Sequence, residues 1–302
     1  MRVFVAGGSG VIGVPLVRAL VAGGHQVTAL TRSAAKGDMI RSLRATPAVA
    51  DALDADALAR VVAEARPTHV VHQLTALPKE GARCASDLAP TNRLRIEGTR
   101  NLLEASVRAG ARRIVGGSFA MLQAARPGLP PDVQAGADAV ASMESQILEA
   151  SRLGRIEGVV LRYGLFYGPT NPATVRMIWL ARHRMLPRIR GDRGLLPVIH
   201  VDDAVGATVA ALDRAPAGAV YDIVDDRAVS MSEIATAISE SAGAPRPFAI
   251  PSWLPRLLMP FMAGLLAVRL PLSNAKARAE LGWTPVFPTL QEGVSDLFRH
   301  AA

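Results

Sequence analysis

The sequence contains little cysteine, little lysine and no long apolar run, and each shortage excludes a class of protein. Cys84 is the only cysteine, so the chain cannot form an internal disulfide. Of the 34 Lys and Arg residues, only Lys36, Lys79 and Lys276 are lysines, and the basic residues are spread along the chain instead of forming one stripe. Despite the formal net charge of +8, we therefore expect no nucleic-acid partner.

The most apolar stretch runs from residue 257 to residue 268 and is too short to cross a bilayer. A charged segment followed by an apolar stretch and a cleavage site is also missing before the first expected strand. We therefore expect a cytoplasmic protein with no membrane partner. The apolar residues of the stretch are expected in the core of a small lobe, namely Met259, Phe261, Met262, Leu265 and Leu266.

Strand-like and helix-like segments alternate along the first half of the chain. We expect strands near 2–6, 26–31, 47–50, 68–74, 112–117 and 157–162, with helices near 11–23, 54–65, 92–109 and 137–153. This alternation predicts an α/β fold with a doubly wound parallel sheet of the Rossmann type. Half of the 302 residues are apolar, which is enough to form a sizeable core.

Three glycines lie between the first expected strand and the first expected helix. Gly7, Gly10 and Gly13 follow an apolar run and precede an apolar helical pattern. In a dinucleotide-binding turn, such glycines permit the tight turn, the approach of the backbone to the pyrophosphate and the close packing of the helix. The free N–H groups of the helix then face the phosphates, so the pattern predicts a dinucleotide site.

The end of the second strand indicates which dinucleotide binds. An acidic residue there binds the ribose 2′-hydroxyl of NAD, whereas an arginine accommodates the 2′-phosphate of NADP. Arg32 follows the strand, Ser33 and Lys36 add further donors, and no acidic residue occurs before Asp38. We therefore predict NADP as the cofactor, with NAD less favoured.

The spacing Gly-x-x-Gly-x-x-Gly resembles that of the extended short-chain dehydrogenase/reductases, the NAD-dependent epimerase/dehydratase family. Further stretches resemble this family in the same order, at residues 70–72, 97–103, 161–169, 199–203 and 273–283. The resemblance implies an enzyme with an NADP-binding Rossmann domain and a small, mostly helical C-terminal substrate lobe. It assigns residues 1–162 and 195–228 to the first unit, and residues 163–194 and 229–302 to the second.

The resemblance also implies which residues contact the cofactor. Asp51 would accept from the adenine amino group, residues 73–75 would line the pyrophosphate and the nicotinamide ribose, and residues 164–166 would lie against the nicotinamide ring. His72 is interpreted as a buried, neutral, hydrogen-bonded histidine. The full predicted set is Gly7, Ser9, Gly10, Val11, Ile12, Gly13, Arg32, Ser33, Lys36, Asp51, Ala52, Gln73, Leu74, Thr75, Gly164, Leu165 and Phe166.

The catalytic motif of the family is only partly present. Ser118 corresponds to the serine or threonine whose hydroxyl binds the reacting oxygen. The Tyr-x-x-x-Lys motif, whose tyrosine exchanges a proton with the substrate, is missing, because no tyrosine occurs between Ser118 and Leu161. The usual proton donor is therefore absent from the sequence.

Two alignments are available for the helix that carries this motif in the family. One puts Asp138 and Ser142 at the tyrosine and lysine positions, and the other puts Met143 and Ile147 there. Asp138 could act as an acid only if burial raised its pKa, and otherwise it would cap or begin the helix. Tyr163 and water are the other candidate donors, so the predicted catalytic residues are Ser118, Tyr163 and Asp138.

The substrate lobe carries weaker signals. Six arginines could bind a substrate phosphate or carboxylate, but in so arginine-rich a chain we favour a solvated surface for Arg176, Arg182, Arg184, Arg188, Arg190 and Arg193. Asp202 is expected to cap a helix over 203–213. The spacing His200-x-Asp202 has no accompanying ligand cluster, so no metal site is predicted.

The sequence thus favours an NADP-dependent oxidoreductase acting on a small carbonyl, alcohol or activated alkene, with a homodimer as a candidate assembly. A nucleotide-sugar epimerase or dehydratase is one alternative, although such enzymes ordinarily use the missing tyrosine. A non-catalytic NADP-binding sensor is another, and the retained Ser118 argues against it.

Overall fold

A parallel seven-stranded sheet forms the centre of the protein in the computed structural model, which describes residues 1–78, 82, 84–121, 131–258 and 269–299. The strands are β1 Arg2–Ala6, β2 Gln26–Thr31, β3 Thr46–Val49, β4 His69–His72, β5 Arg113–Phe119, β6 Glu157–Tyr163, β7 Leu165–Tyr167, β8 Pro187–Ile189, β9 Val198–His200, β10 Val220–Ile223 and β11 Phe248–Ile250. The central sheet has the order β3-β2-β1-β4-β5-β6-β10. This is the order of doubly wound dinucleotide-binding folds, so the predicted fold class is confirmed.

Helices cover both faces of the central sheet. They are α1 Gly13–Ala22, α2 Gly37–Ser42, α3 Ala55–Ala65, α4 Ala89–Arg93, α5 Thr99–Arg108, α6 Pro131–Arg152, α7 Pro172–Arg182, α8 Val201–Arg214, α9 Met231–Ser241, α10 Trp253–Leu258, α11 Ala275–Leu281 and α12 Leu290–Arg299. Alternate residues of β1 point to opposite faces of the sheet. Val3 and Val5 pack with α1 and α8 on one face. Phe4 and Ala6 pack with α3, α5 and α6 on the other. The sheet is therefore buried on both sides.

Helix bounds differ from the sequence expectation at two places that matter for the site. The helix expected over 137–153 begins at Pro131, so Asp138 lies inside α6 and neither begins nor caps it. The Asp138 side chain is exposed and accepts a hydrogen bond from Gln134 at 2.8 Å. The expected helix over 92–109 is divided into α4 and α5 by a π-helical turn, Leu94–Gly98.

The expected cap of α8 is also wrong. His200 precedes the helix, and its Nδ1 accepts from the backbone N–H of Asp202 at 3.2 Å, while the Asp202 side chain is exposed. Asp203 is the buried carboxylate, and it accepts from the N–H groups of Val286 at 2.6 Å and Phe287 at 3.0 Å. A histidine takes the capping position because its ring nitrogen reaches the free N–H of the first turn.

A second core lies beside the carboxyl edge of the sheet. Strand β7 pairs with β9, β8 pairs with β11, and apolar residues of α7, α9 and α12 pack together. The stretch 195–228 contributes to both units, because β10 joins the central sheet and β9 pairs with β7. The division into two units stays a prediction, and the apolar residues predicted for the lobe core at 259–268 lie outside the described residues. Within the described part of the chain, no helix is both long and apolar enough to cross a membrane.

Two neighbouring arginines bind the same carboxylate in different surroundings. Arg113 binds Glu157 at 2.6 Å and donates to the carbonyl oxygens of Ala211 at 3.1 Å and Leu212 at 3.0 Å, with a side chain only 6% exposed. Arg112 binds Glu157 at 3.2 Å, but its side chain is 65% exposed. The buried arginine therefore joins β5 and β6 to the end of α8.

We expect Arg113→Met to lower the free energy of unfolding by about 2–4 kcal/mol, because it removes a buried donor from the carbonyl groups of Ala211 and Leu212, and Ala211 keeps only a long contact with the N–H of Ala215, at 3.4 Å. The matched change Arg112→Met should cost less than about 1 kcal/mol, as is usual for an exposed ion pair. Urea unfolding followed by circular dichroism measures both values. Equal losses for the two variants would contradict the role assigned to burial.

Candidate active site

A groove of about 220 Å³ lies across the carboxyl ends of β1, β2 and β4. Ligands of doubly wound sheets bind at this edge, where the strand order reverses between β1 and β4. Ten of the predicted cofactor-binding residues line the groove, namely Gly7, Ser9, Gly10, Arg32, Ser33, Lys36, Ala52, Gln73, Leu74 and Thr75. The groove therefore brings together segments that are far apart in the sequence.

The three glycines of the first turn have different surroundings. Gly7 has φ +92°, and a Cβ there would collide with the carbonyl of Gln73, while a Cβ on Gly13 would collide with the carbonyl of Gly7. Gly10 is exposed in the groove, and its Cβ would meet only the Gly7 carbonyl, at 3.2 Å. Gly7 and Gly13 thus permit close packing, and Gly10 leaves space for a ligand.

The start of α1 is suited to an anion. Ile12 precedes the helix without a side-chain cap, and its first turn carries no acidic residue. Free N–H groups at a helix start carry partial positive charge and bind phosphate. The groove therefore fits a dinucleotide pyrophosphate.

Cations line the adenosine end of the groove. Arg32 and Lys36 are exposed there, and Ser33 lies between them. The nearby Asp38 binds Arg41 at 2.6 Å, and no carboxylate in the described part of the chain pairs with Arg32 or Lys36. These groups fit a phosphate ester.

Seven predicted cofactor residues do not line the groove. Leu165 and Phe166 line the adjoining cavity, and five residues line neither space: Val11, Ile12, Gly13, Asp51 and Gly164. Ile12 and Gly13 are buried where α1 packs on the sheet. Asp51 is exposed and its Oδ1 accepts from the N–H of Leu53 at 3.0 Å. Gly164 is buried, and a Cβ there would lie 2.9 Å from the backbone of residues 197–198, so this glycine permits strand packing. Local packing or hydrogen bonding thus explains why four of them lie outside the groove, namely Ile12, Gly13, Asp51 and Gly164.

A second cavity, of about 340 Å³, adjoins the groove and shares Gln73, Leu74 and Thr75 with it. Its wall is mostly apolar and includes Phe119, Met143, Leu165, Phe166, Tyr167, Met177, Val198, Met231, Ile234, Leu290 and Val294. Ser118 and Tyr163 also line it, whereas Asp138 and the six arginines of 176–193 do not. The cavity is therefore suited to a small apolar substrate.

Ser118 belongs to a group of three polar side chains, of which Ser118 and Glu144 are buried and Arg162 is partly exposed. Its hydroxyl donates to Oε1 of Glu144 at 2.5 Å, and Arg162 binds both oxygens of Glu144, the closest contact being 2.7 Å. This hydrogen bonding raises the pKa of Arg162. Glu144 was not among the residues predicted from the sequence, so its contact with Ser118 is new. The pairing of β5 with β6, which sets Ser118 beside Arg162, is the signal that could have identified it.

The structure favours one of the two alignments of α6. Met143 lines the cavity, and Ile147 packs against Gly116 of β5, so these two residues occupy the side of the helix that faces the site. Asp138 is exposed, and Ser142 accepts a hydrogen bond from Gln146 at 3.2 Å. On the side of α6 that faces the site, the structure thus has the apolar pair of the second alignment.

The two tyrosines of the cavity donate their protons to protein acceptors. The Thr208 hydroxyl donates its proton to the carbonyl of Ala204, so in the 2.7 Å contact between Tyr163 and Thr208 the tyrosine is the donor. The Tyr163 hydroxyl also accepts a hydrogen bond from Gln73 at 3.0 Å. Burial raises the pKa of Tyr163 to about 12. Tyr167 donates to Asp225 at 2.9 Å, and burial also raises its pKa. Neither hydroxyl offers a free proton to the cavity.

His72 is buried at the end of β4, and its Nε2 lies 2.7 Å from the hydroxyl of Thr99. Burial lowers the pKa of His72 to about 4, so the ring is neutral at physiological pH. Among the described residues, no group of three or more His, Cys, Asp or Glu side chains could hold a metal ion.

The fold and its two adjoining cavities define an α/β enzyme that uses a nicotinamide dinucleotide. The model of the family described as "NAD dependent epimerase/dehydratase family" matches residues 3–224, and the chain belongs to this family. It is thus an NAD(P)-dependent oxidoreductase, epimerase or dehydratase, and the resemblance seen in the sequence is confirmed.

Curated relatives include reductases. The chain is 39% identical to the 3-diazoavenalumate denitrifying reductase of a Streptomyces species, over 97% of this chain and 99% of the relative. It is 30% identical to the 4-hydroxy-2-methyl-3-oxo-4-farnesyl-3,4-dihydroquinoline-1-oxide ketoreductase of Stigmatella aurantiaca, over 80% of this chain and 74% of the relative. Among solved structures, the UDP-glucose 4-epimerase of Thermus thermophilus, in complex with NAD, has a TM-score of 0.78 at 26% identity and full coverage of both chains.

We expect Gly10→Val to raise the dissociation constants of both NADPH and NADH by about a hundredfold or more, because the new side chain would occupy the pyrophosphate site. Its melting temperature should fall less than that of a Gly13 variant, since a Cβ on Gly10 meets only the Gly7 carbonyl, at 3.2 Å, and Gly10 is exposed. Gly13→Ala is the contrasting variant and should lower the free energy of unfolding by about 1–3 kcal/mol through overpacking. Calorimetric titration and thermal unfolding separate the two effects, and normal dinucleotide binding by Gly10→Val would exclude this groove as the site.

Proposed function

We propose that this chain is an NADP-dependent reductase of small, mostly apolar substrates whose carbonyl or alkene group is already activated by conjugation. One observation carries the proposal: Ser118 and apolar Met143 both line the cavity beside the dinucleotide groove, and we assign Met143 to the tyrosine position of the family. An activated acceptor needs little help from an acid. Reductases among the curated relatives support the direction of the reaction.

The preference for NADP is supported by the cations at the end of β2. Arg32 and Lys36 line the groove without a carboxylate partner in the described part of the chain, and Ser33 adds a hydroxyl. A planar guanidinium binds a phosphate with two parallel hydrogen bonds. Such a pair favours a ribose 2′-phosphate over a free hydroxyl.

NADPH, when bound, supplies the hydride. To bind a substrate oxygen, the Ser118 hydroxyl turns from Glu144 into the cavity. Glu144 remains paired with Arg162 during this turn, so no isolated carboxylate is left behind. Ser118 thereby orients the oxygen and stabilises the charge that develops on it.

Water is the proton source that the geometry favours. The protons of Tyr163 and Tyr167 are held by Thr208 and Asp225, and Asp138 is exposed away from the cavity. Ser118 can give its hydroxyl proton to the product oxygen and take one from a water molecule, which leaves as hydroxide. The restored hydroxyl then turns back to Glu144. Tyr163 and Asp138 are therefore assigned no proton transfer.

Epimerisation of a nucleotide sugar has less support, although a UDP-glucose 4-epimerase is among the relatives, at 27% identity. The cavity wall is mostly apolar, and none of the six arginines at 176–193 lines it. Abstraction of a hydroxyl proton also needs a base, and Met143 and Ile147 cannot serve as one.

We expect Arg32→Asp to lower the preference for NADPH over NADH by about ten- to a hundredfold, because it removes a charge-assisted contact with the 2′-phosphate. Arg60→Asp is the matched control: it makes the same change of charge at an exposed position of α3, away from the groove. Dissociation constants from fluorescence titration give the ratio for each variant. Equal affinities for the two cofactors in the wild type would contradict the assignment of Arg32.

We expect Ser118→Ala to lower kcat/KM by about 10- to 1000-fold with little change in NADPH affinity, because it removes a donor to the developing oxyanion. Tyr163→Phe and Asp138→Asn should change kcat/KM by less than about threefold, since neither group is assigned a proton. NADPH oxidation with a panel of conjugated aldehydes and enones measures these values. A hundredfold loss in Tyr163→Phe would make that tyrosine the acid, and normal NADPH binding without any turnover would support a sensor.

A further inference from the structure

One buried arginine in the wall of the substrate cavity has no use in the reaction described so far. Arg95 lies in the π-helical turn Leu94–Gly98, is only 8% exposed, and lines the cavity that also contains Ser118. Leu94 of the same turn lines the cofactor groove. The turn therefore lies beside both ligand sites, with the arginine on the substrate side.

Among the described residues, the guanidinium of Arg95 has a single, long hydrogen bond. Its one hydrogen bond, from Nη1 to the side-chain oxygen of Asn92, is 3.4 Å long, and no carboxylate in the described part of the chain pairs with it. Burial lowers the pKa of Arg95 to about 10, so the group is still charged at neutral pH. The other well-buried arginine, Arg113, has a carboxylate and two carbonyl oxygens, and Arg162 has both oxygens of Glu144.

Burial without a counter-ion is costly, because a charge removed from water loses its hydration and gains nothing in return. A ligand anion that enters the cavity would supply the missing partner. Since the rest of the wall is mostly apolar and Glu144 is neutralised by Arg162, the cavity carries one uncompensated positive charge among its described lining residues. A molecule with an apolar body and one anionic group complements such a wall.

The cofactor phosphates do not meet this requirement. The pyrophosphate site lies at Gly10 and the start of α1, and the 2′-phosphate site lies at Arg32, whereas Arg95 does not line that groove. A guanidinium presents two parallel N–H groups that match the two oxygens of a carboxylate.

We infer that Arg95 binds a carboxylate of the substrate, so that the enzyme acts on an apolar carboxylic acid whose reducible group lies towards Ser118. The reducible group rests on the proposed function, whereas the carboxylate site rests on Arg95 itself. Arg95 is then a specificity-determining residue, and it selects substrates by their charge.

Matched substrates test this selection. The acids 4-formylbenzoate and 4-formylcinnamate differ in length, and each has a methyl ester that keeps the aldehyde and removes the charge. For each acid that the wild type reduces, kcat/KM should be higher than for the corresponding ester, although the aldehyde of the ester is the more electrophilic. In Arg95→Gln, the ratio of kcat/KM for acid over ester should fall by about ten- to a hundredfold. Arg95→Lys should recover part of it.

Arg93→Gln is the control for a charge change on the same segment. Arg93 lies two residues away, is 59% exposed, and binds Glu97 at 3.0 Å, so its loss should leave the acid-to-ester ratio as in the wild type.

Thermal unfolding without ligand provides a second control. Arg95→Met should melt at the wild-type temperature or above it, because it removes an unpaired buried charge. A fall as large as that of Arg113→Met would make Arg95 a structural residue and overturn the inference.

Binding without turnover separates this inference from the proposed function. Calorimetric titration of 4-methylbenzoate and 4-methylcinnamate into the NADP⁺-loaded protein should show binding that weakens by about tenfold or more in Arg95→Gln, while their methyl esters lose little. If the acids bind through Arg95 and no aldehyde is reduced, the proposed reduction fails and the carboxylate site stands. If aldehydes are reduced but acids have no advantage over esters in rate or binding, the carboxylate site is wrong and the reductase stands.

Discussion

The contact between the first glycine turn and the end of β4 is the constraint on which both ligand sites depend. Gly7 adopts φ +92° with its α-carbon against the carbonyl of Gln73, and the N–H of Gln73 donates to the carbonyl of Ala6 at 2.8 Å. A side chain on Gly7 would separate the two segments. Gly117 is constrained in the same way, since a Cβ there would collide with the Gln73 side chain. The amide of Gln73 then reaches the hydroxyl of Tyr163 at 3.0 Å, which fixes one wall of the substrate cavity.

Electrostatics divides the substrate cavity into two parts with different tasks. Glu144 and Arg162 compensate each other behind Ser118, so the hydroxyl has a partner at rest and can turn without leaving an isolated charge. Arg95 lacks such a partner within the described residues. The reacting end is thus neutral overall, and the binding end is positive. This difference matches a site where charge serves recognition and the cofactor supplies the chemistry.

The features that sequence reasoning could identify are those encoded within a few neighbouring residues. The glycine turn, the parallel sheet implied by alternation, and the cations after β2 all follow from local patterns, and the structure has each of them in a doubly wound fold. The family's motif also indicated Ser118, which lines the second cavity. These predictions needed no knowledge of which distant residues meet.

The features that sequence reasoning could not identify depend on tertiary packing. The register of α6 is set by Ile147 against Gly116, so no local pattern distinguished Met143 from Asp138 at the site. The capping by His200 instead of Asp202 depends on ring geometry. Burial of Arg95 without a counter-ion is visible only when the surrounding elements are in place. For α6 and Arg95 the deciding neighbours lie outside the window that a sequence motif covers, whereas the cap of α8 is local and depends on how the His200 ring is turned.

The wall shared by the two cavities has a kinetic consequence. Because Gln73, Leu74 and Thr75 line both the groove and the cavity, a nicotinamide ring held at their junction would itself form part of the substrate's surroundings. The substrate pocket is then complete only after the dinucleotide has entered. Such an arrangement imposes a compulsory order, with the dinucleotide first to arrive and last to leave, and the ratio of reduced to oxidised dinucleotide in the cell would govern how much of the enzyme is ready to accept its substrate.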